Sequence, residues 1–297
     1  MRTLTLTIDE RLAGREVKSL LAQELRMSES LIRRVKLRET GILLNGRRAF
    51  TTARVEAGDV LTAEVGDAPD APRPHPMPAP LDVLFEDEDI LILNKPAGIA
   101  VHQSTRDPEE LTLENALASY LPPDCIPHPV SRLDRGTTGI ITFAKNGYMH
   151  ELLRRMLHTP GFRREYRGIA AGAVIPPQGT VTLPIGLAEG STYQRAVRQD
   201  GAPSCTEYES LARAGDFTLL RLVPHTGRTH QLRVHMAALG FPLAGDWLYG
   251  TQDARIARPA LHSYALWLTH PLTGEALHLT APLPEDMMAL LSSHNAL

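Results

Sequence analysis

The chain has 297 residues and a formal net charge of −3, from 31 Lys+Arg against 34 Asp+Glu. Apolar content of 43% and charged content of 22% suit an ordinary soluble globular protein, long enough for one large domain and one small one. The balance excludes a global field that would draw in nucleic acid, so such a partner would have to meet local basic patches. No stretch approaches about 18 consecutive apolar residues, which excludes a membrane-spanning helix. MRTLTLTIDE has no long apolar run and does not read as a secretory signal. Cys125 and Cys205 cannot make a disulfide framework, and no CxxC or Cys/His cluster points to zinc. Two buried free thiols in a reducing cytoplasm are expected.

Residues 1–66 read as a separate small module. TLTLTI alternates with a period of two and predicts a strand. Val17, Leu20, Leu21 and Leu25 recur at helical spacing. Ser28 and Ser30 are candidate caps for a second helix that turns Leu31, Ile32 and Val35 inward. GILLNGRRAF carries an Asn45-Gly46 hairpin signal, and GDVLTAEV follows as a turn and a strand. Eight basic residues lie from Arg26 to Arg54, against two acids, Glu29 and Glu39. Arg33, Arg34, Lys36, Arg47 and Arg48 are the candidate contacts for an RNA backbone. A solvated helix face is the alternative reading of such a charge run. The order helix, helix, Asn-Gly hairpin, Gly-Asp strand resembles the S4-type RNA-binding module, with LIRRVKLRETGILLNGRR as the matching core.

Residues 67–80, DAPDAPRPHPMPAP, predict an extended, semi-stiff linker in which His75 is solvent-exposed. It would separate the module from the rest and let residues 81–297 fold without it. Those residues read as one α+β domain. LDVLFEDEDILILNKPAGIAVH predicts strand, acidic turn, strand and a Lys95-Pro96-Ala97-Gly98 loop. GIITFAKN, REYRGIAAGAV and FTLLRLVPH read as strands. HELLRRMLHT has Leu152, Leu153, Met156 and Leu157 on one helical face, and THQLRVHMAALG reads as a helix ending at Gly240. LHSYALWLTHPLTGEALHLTAPLP predicts a hairpin about Thr273-Gly274. No GxGxxG or Walker pattern supports a nucleotide cofactor.

Three places hold residues that a core does not ask for. In SRLDRGTTGI, Asp134 sits between Arg132 and Arg135, ahead of a Gly-Thr-Thr-Gly turn. It is either a functional acid or a turn cap. Tyr166 lies among charges in REYR, and half-buried packing is its ordinary role. In VPHTGRTHQLRVH, Arg228, His230, Arg233 and His235 cluster where a loop enters a helix. His225, His230 and His235 stand five apart and no acid or cysteine joins them, so no metal site is expected. Basic residues at a helix start can face an anion instead.

Together, and in this order, these pieces resemble the RluA family of RNA pseudouridine synthases. The matching text is NKPAGIAVH, RLDRGTTGIITFAKN, REYRGIAAG, GAPSCTEYESL, VPHTGRTHQLRVHMAALGFPLAGDWLYG and RPALHSYALWLTHP, covering about residues 81–285. One departure is Ser131, where the family has His before Arg-Leu-Asp. The resemblance implies a mixed, mainly antiparallel central sheet with flanking helices and a catalytic cleft. It implies isomerisation of uridine to pseudouridine in ribosomal or transfer RNA, without cofactor or metal. Asp134 would be the catalytic nucleophile or base, acting at C1′, at C6 or on a sugar proton. Arg233 would be its basic partner, with Arg228 the runner-up. Tyr166 would stack on the base, with Leu232 packing nearby. Arg132 would fill the space the base vacates, and Arg135 and His230 would contact the RNA. The expected state is a cytoplasmic monomer with no obligate protein partner.

Two rivals stand beside this. A glycosidase needs two carboxylates at a set separation. Asp246 in AGDWLYG is a candidate second acid, but reads as a turn residue. An inactive RNA-binding or RNA-folding protein that kept the fold is the other, supported by Ser131 alone.

Overall fold

The computed structural model describes residues 2–68, 70–104 and 107–292. The chain opens with β1 (Arg2–Thr7), α1 (Val17–Gln23), α2 (Glu29–Val35), β2 (Ile42–Leu44), β3 (Arg47–Arg48) and β4 (Val60–Val65). The strands form a four-stranded sheet in the order β1-β4-β2-β3. Ser28 caps α2 by accepting from the Leu31 amide at 3.2 Å. Asn45 and Gly46 take φ of 52° and 74°, the left-handed pair that a tight two-residue hairpin needs.

The second part contains β5 (Val83–Glu86), β6 (Ile90–Lys95), α3 (Leu113–Tyr120), β7 (His128–Pro129), β8 (Thr138–Ala144), α4 (Gly147–Met156), β9 (Phe162–Ala171) and β10 (Gln178–Val181). It continues with β11 (Ile185–Leu187), β12 (Arg195–Val197), β13 (Thr206–Ala214), β14 (Phe217–Pro224), α5 (Gln231–Ala238), β15 (Leu261–Thr269), β16 (Ala276–Thr280) and α6 (Glu285–Ser292). The central sheet runs β10-β13-β14-β9-β15-β8-β6-β5, with β16 beside β15 and β7 beside β8. Its pairings are antiparallel except where β15 meets β8, with His262 opposite Thr138 and Ser263 opposite Gly139. This is the mixed, mainly antiparallel sheet with flanking helices that the sequence leads one to expect.

Alternation along β6 explains how both faces are covered. Ile90 and Ile92 join one apolar cluster with Tyr148, Met149, Leu152 and Leu153 of α4. Leu91 and Leu93 join another with Leu113 and Leu117 of α3 and Leu232 and Met236 of α5. Strand β8 lies between these layers and is buried at every residue. Cys125 and Cys205 are free but only half-buried, because both sit in loops rather than in a strand core.

The module does not hang free on its linker. Its residues Leu4, Val17, Leu20, Leu31 and Val65 belong to the same apolar cluster as Ile90, Tyr148 and Leu266. Tyr148 donates its hydroxyl hydrogen to the Leu25 carbonyl at 2.9 Å, and Arg2 pairs with buried Asp89. The linker also lies on the domain: Arg73 donates to the carbonyls of Ala118 and Leu121, and the Met77 amide donates to Asn115 at 3.1 Å. Proline leaves few amides for a ladder, so the segment is held at single points: the Arg73 side chain, the His75 carbonyl and the Met77 amide. Folding of residues 81–297 without the module, as expected from the sequence, would therefore uncover the apolar face they share with it. Each buried aliphatic or aromatic side chain uncovered costs about 1.5–3 kcal/mol. Deleting residues 1–66 is expected to lower the thermal midpoint of the remaining chain by well over 5 °C and to raise its ANS fluorescence. An unchanged midpoint in differential scanning calorimetry would show that the shared cluster adds no stability.

Candidate active site

The Asp134 loop enters β8 where β8 runs parallel to β15, and Ser263 of β15 stands opposite both Gly139 of β8 and Tyr166 of β9. Gly139 takes a φ of +99°, and a Cβ there would stand 2.2 Å from the Ser263 carbonyl oxygen. Only glycine lets the backbones approach this closely, so the second Gly of GTTG is set by packing against β15. The preceding loop is held through its carbonyls. Buried Lys95 donates to Pro96 at 2.9 Å and to Arg135 at 3.0 Å, and Arg258 donates to Gly136 at 3.1 Å. The Thr137 amide donates to the Asp134 main-chain carbonyl at 3.0 Å, so the turn closes through the backbone and not through the Asp134 side chain. The Asp134 carboxylate is left to face a cleft of about 790 Å³.

Across the cleft, α5 presents Arg233, which is 5% exposed. Its Nη1 stands 3.3 Å from the Asp134 carboxylate. Its Nε and Nη2 donate to Asp246 at 2.7 and 2.8 Å, a two-pronged pair. Burial opposes the guanidinium charge, but Asp246, and after it Asp134, outweigh burial and hold Arg233 above its ordinary value. Asp246 is fully buried and also accepts from the amides of Leu248 and Tyr249. Its reading as a turn residue stands, and pairing with Arg233 comes in addition. The glycosidase arrangement gains nothing from it, since this acid is locked away from the cleft lining.

His230 takes a φ of 58° at the head of α5, with Nδ1 2.7 Å from the Tyr249 hydroxyl and Nε2 3.9 Å from Asp134. Burial lowers its imidazole, partly offset by Asp134. Burial likewise pulls the Lys95 ammonium down to about 8, against the opposing pull of Asp134. Tyr166 and Leu232, both buried, line the cleft with Leu133 and Leu261 as its apolar wall. Arg132, Ser131, Arg135 and Arg228 line it too, Arg135 being paired with Glu110 at 2.5 Å.

The module's basic residues lie elsewhere. Arg33, Arg34, Lys36, Arg47 and Arg48 are exposed and are not part of the cleft lining. Arg34 donates to the Gly66 carbonyl at 3.1 Å, and Arg33 stands 3.8 Å from Glu29. His235, far from any anion, is buried between Thr206 and the Leu183 carbonyl, each at 2.9 Å. Among the described residues no group of three or more His, Cys, Asp or Glu is placed to hold a metal ion. Among them, too, no helix is long and apolar enough to cross a membrane. Reasoning from sequence missed Lys95, Tyr249 and the true role of Asp246. All three lie inside quoted motifs, NKPAG and AGDWLYG, and their location there was the available signal.

Residues 89–238 match the family described as RNA pseudouridylate synthase. An uncharacterised RNA pseudouridine synthase of Bacillus subtilis (strain 168) is 34% identical over 276 residues, covering 92% of this chain and 98% of that protein. The ribosomal large subunit pseudouridine synthase D of Escherichia coli (strain K12) is 35% identical over 306 residues, covering 97% and 93%. Among solved structures, human RNA pseudouridylate synthase domain containing 4 is similar with a TM-score of 0.59 and 24% identity, covering 72% of this chain and 93% of that one. Human RNA pseudouridylate synthase domain containing 1 has a TM-score of 0.56 and 26% identity, covering 73% and 96%. Half of the chain falls in the family match and the relatives align nearly end to end, so this protein belongs to the RNA pseudouridine synthases, isomerases that act on uridine in RNA.

Proposed function

We propose that the chain isomerises a uridine of ribosomal RNA at Asp134. The observation that carries this is the carboxylate at the cleft, 3.3 Å from an arginine whose other prongs are taken by a buried acid. The reaction breaks N1–C1′, turns the base, and joins C5 to C1′. The C5 hydrogen leaves as a proton and N1 gains one, so no oxidant or second substrate is needed. Asp134 is the nucleophile or base, and Arg233, donating to its carboxylate, keeps it aimed. Tyr166 offers a ring face on which the displaced pyrimidine stacks. Extruding the base costs a few kcal/mol, and exposed Arg132 fills the space it leaves with a planar, hydrogen-bonding group. Ser131, in place of the family His, leaves both charged partners unaltered. Ribosomal RNA is favoured over transfer RNA because relatives covering nearly the whole chain carry the name ribosomal large subunit pseudouridine synthase. The exposed basic face of the module is the second RNA contact, and the working form is a cytoplasmic monomer without an obligate protein partner. An inactive RNA-binding role has no observation in its favour beyond Ser131.

Asp134→Asn is isosteric but can act neither as nucleophile nor as base. It is expected to lower tritium release from C5-labelled ribosomal RNA by several orders of magnitude while keeping RNA affinity. Near-normal release would remove Asp134 from the chemistry.

Arg233→Leu leaves the buried Asp246 carboxylate without its cation, with only the Leu248 and Tyr249 amides to hold it. Breaking such a pair costs about 3–5 kcal/mol, and activity should fall with it. Arg228→Leu, at an exposed residue with no carboxylate partner among the described residues, should leave the urea midpoint unchanged and reduce activity less. Equal midpoints for the two variants would show that the Arg233–Asp246 pair does not organise the site.

Lys95 holds the loop of Asp134 as an ammonium, with its folded value lowered to about 8. It loses its proton, and with it the attraction to Asp134, as pH rises through that value. Single-turnover rates should therefore decline above about pH 8. A rate that stays flat to about pH 9.5, a unit or more beyond that value, would exclude Lys95 as a support of the loop.

A further inference from the structure

Arginines of the catalytic part are commonly paired with acids: Arg135 with Glu110, Arg155 with Glu151, Arg221 with Glu165 and Arg258 with Asp286. Arg154, Arg164 and Arg228 line the cleft and make no ion pair with a carboxylate among the described residues. They come from three segments: the last turn of α4, the start of β9 and the loop before α5. His158 lies among them. It holds a left-handed φ of 65° just past α4, a strained conformation for a residue with a side chain. Its ring occupies the room that Gly227 leaves, since a Cβ on Gly227 would stand 3.2 Å from its Nε2. Partial burial, then the charges of Arg164, Arg228 and His225, lower this imidazole, and His158 lines the same cleft as the three arginines.

Strand alternation keeps the acid of β9 out. Along β9, Arg164 and Tyr166 both line the cleft. Glu165 turns to the other face, where it binds Arg167 and Arg221. Arg163 also turns there and lies 4.0 Å over the ring of Trp267. The cleft's one lining carboxylate among the described residues, Asp134, pairs with Arg233, so these guanidinium groups repel one another, and a phosphodiester relieves that repulsion with paired hydrogen bonds. Arg164 stands two residues, about 7 Å of strand, from the ring expected to carry the base.

We propose that Arg154, His158, Arg164 and Arg228 form a phosphate-binding subsite that grips the RNA backbone beside the uridine stacked on Tyr166. This rests on the assignment of the cleft to RNA isomerisation, and the test separates the two. Binding of a fluorescein-labelled pentamer of uridylate would be followed against salt for the wild type, Arg154→Gln/Arg164→Gln and Arg163→Gln. Each phosphate contact on a single strand contributes about 0.7 to the slope of log K against log salt. The double variant should lose about 1.4 of that slope, and Arg163→Gln none. A pentamer with neutral methylphosphonate links should not distinguish the double variant from the wild type. An unchanged slope in the double variant, an equal loss in Arg163→Gln, or a wild type that does not bind the pentamer would each overturn the subsite. Tritium release by the wild type, measured beside these, decides the isomerisation on its own. Neither Arg154 nor Arg164 has a carboxylate partner among the described residues, so the variants are expected to keep the wild-type thermal midpoint.

Discussion

The buried charge of Arg233 organises the site. A guanidinium taken out of water is tolerated only when paired and hydrogen-bonded. Asp246, itself fully buried, takes two prongs and leaves one directed at Asp134. The same acid accepts the amides of Leu248 and Tyr249, so the turn that follows is tied to the pair. That turn puts the Tyr249 ring 5.0 Å from the guanidinium and its hydroxyl against His230 and the Arg195 amide. One ion pair thus positions the head of α5, the turn after Asp246 and the β11–β12 hairpin around the acid they face.

The opposite wall is built differently. There the cations bind main-chain carbonyls: Lys95 those of Pro96 and Arg135, and Arg258 that of Gly136. Backbone held in this way leaves the Asp134 carboxylate uncommitted, apart from Arg233 and the more distant His230. The parallel contact of β8 with β15 sets where this loop begins, and the missing side chain at Gly139 permits that contact.

Much of this was legible in the sequence, and what was not has physical causes. Ser28, Asn45-Gly46 and the alternation of β6, β9 and β14 act through nearest neighbours, so local chemistry reveals them. Asp134, Tyr166 and Arg233 could be brought together because their motifs occur in a recognisable order. Asp246 was read as a turn residue because a turn aspartate and a buried ion-pair partner have the same local sequence; only a residue on another element tells them apart. Lys95 likewise looks like any strand-end lysine until the fold closes over it. Helix α3 was not read at all, although Thr112 and Asn115 form a reciprocal cap, because Asn stands where the usual signature has Glu or Gln. The separateness of the module was overestimated. Proline content describes a chain's stiffness, and says nothing about the apolar face that Tyr148 and Ile90 share with Leu20 and Val65.

That shared face has a geometric consequence. A free linker of fourteen residues would let the two bodies it joins wander through a range of tens of ångströms relative to one another. Here the Tyr148–Leu25 bond, the Arg2–Asp89 pair and the strap of residues 73–77 against α3 remove that freedom. The basic face of α2 and the mouth of the cleft then behave like the two jaws of a set caliper. On the RNA contacts proposed for these two surfaces, a folded RNA that presents a phosphate ridge and an extrudable uridine at another separation would touch one jaw and miss the other, and the span between them would then take part in selecting the uridine.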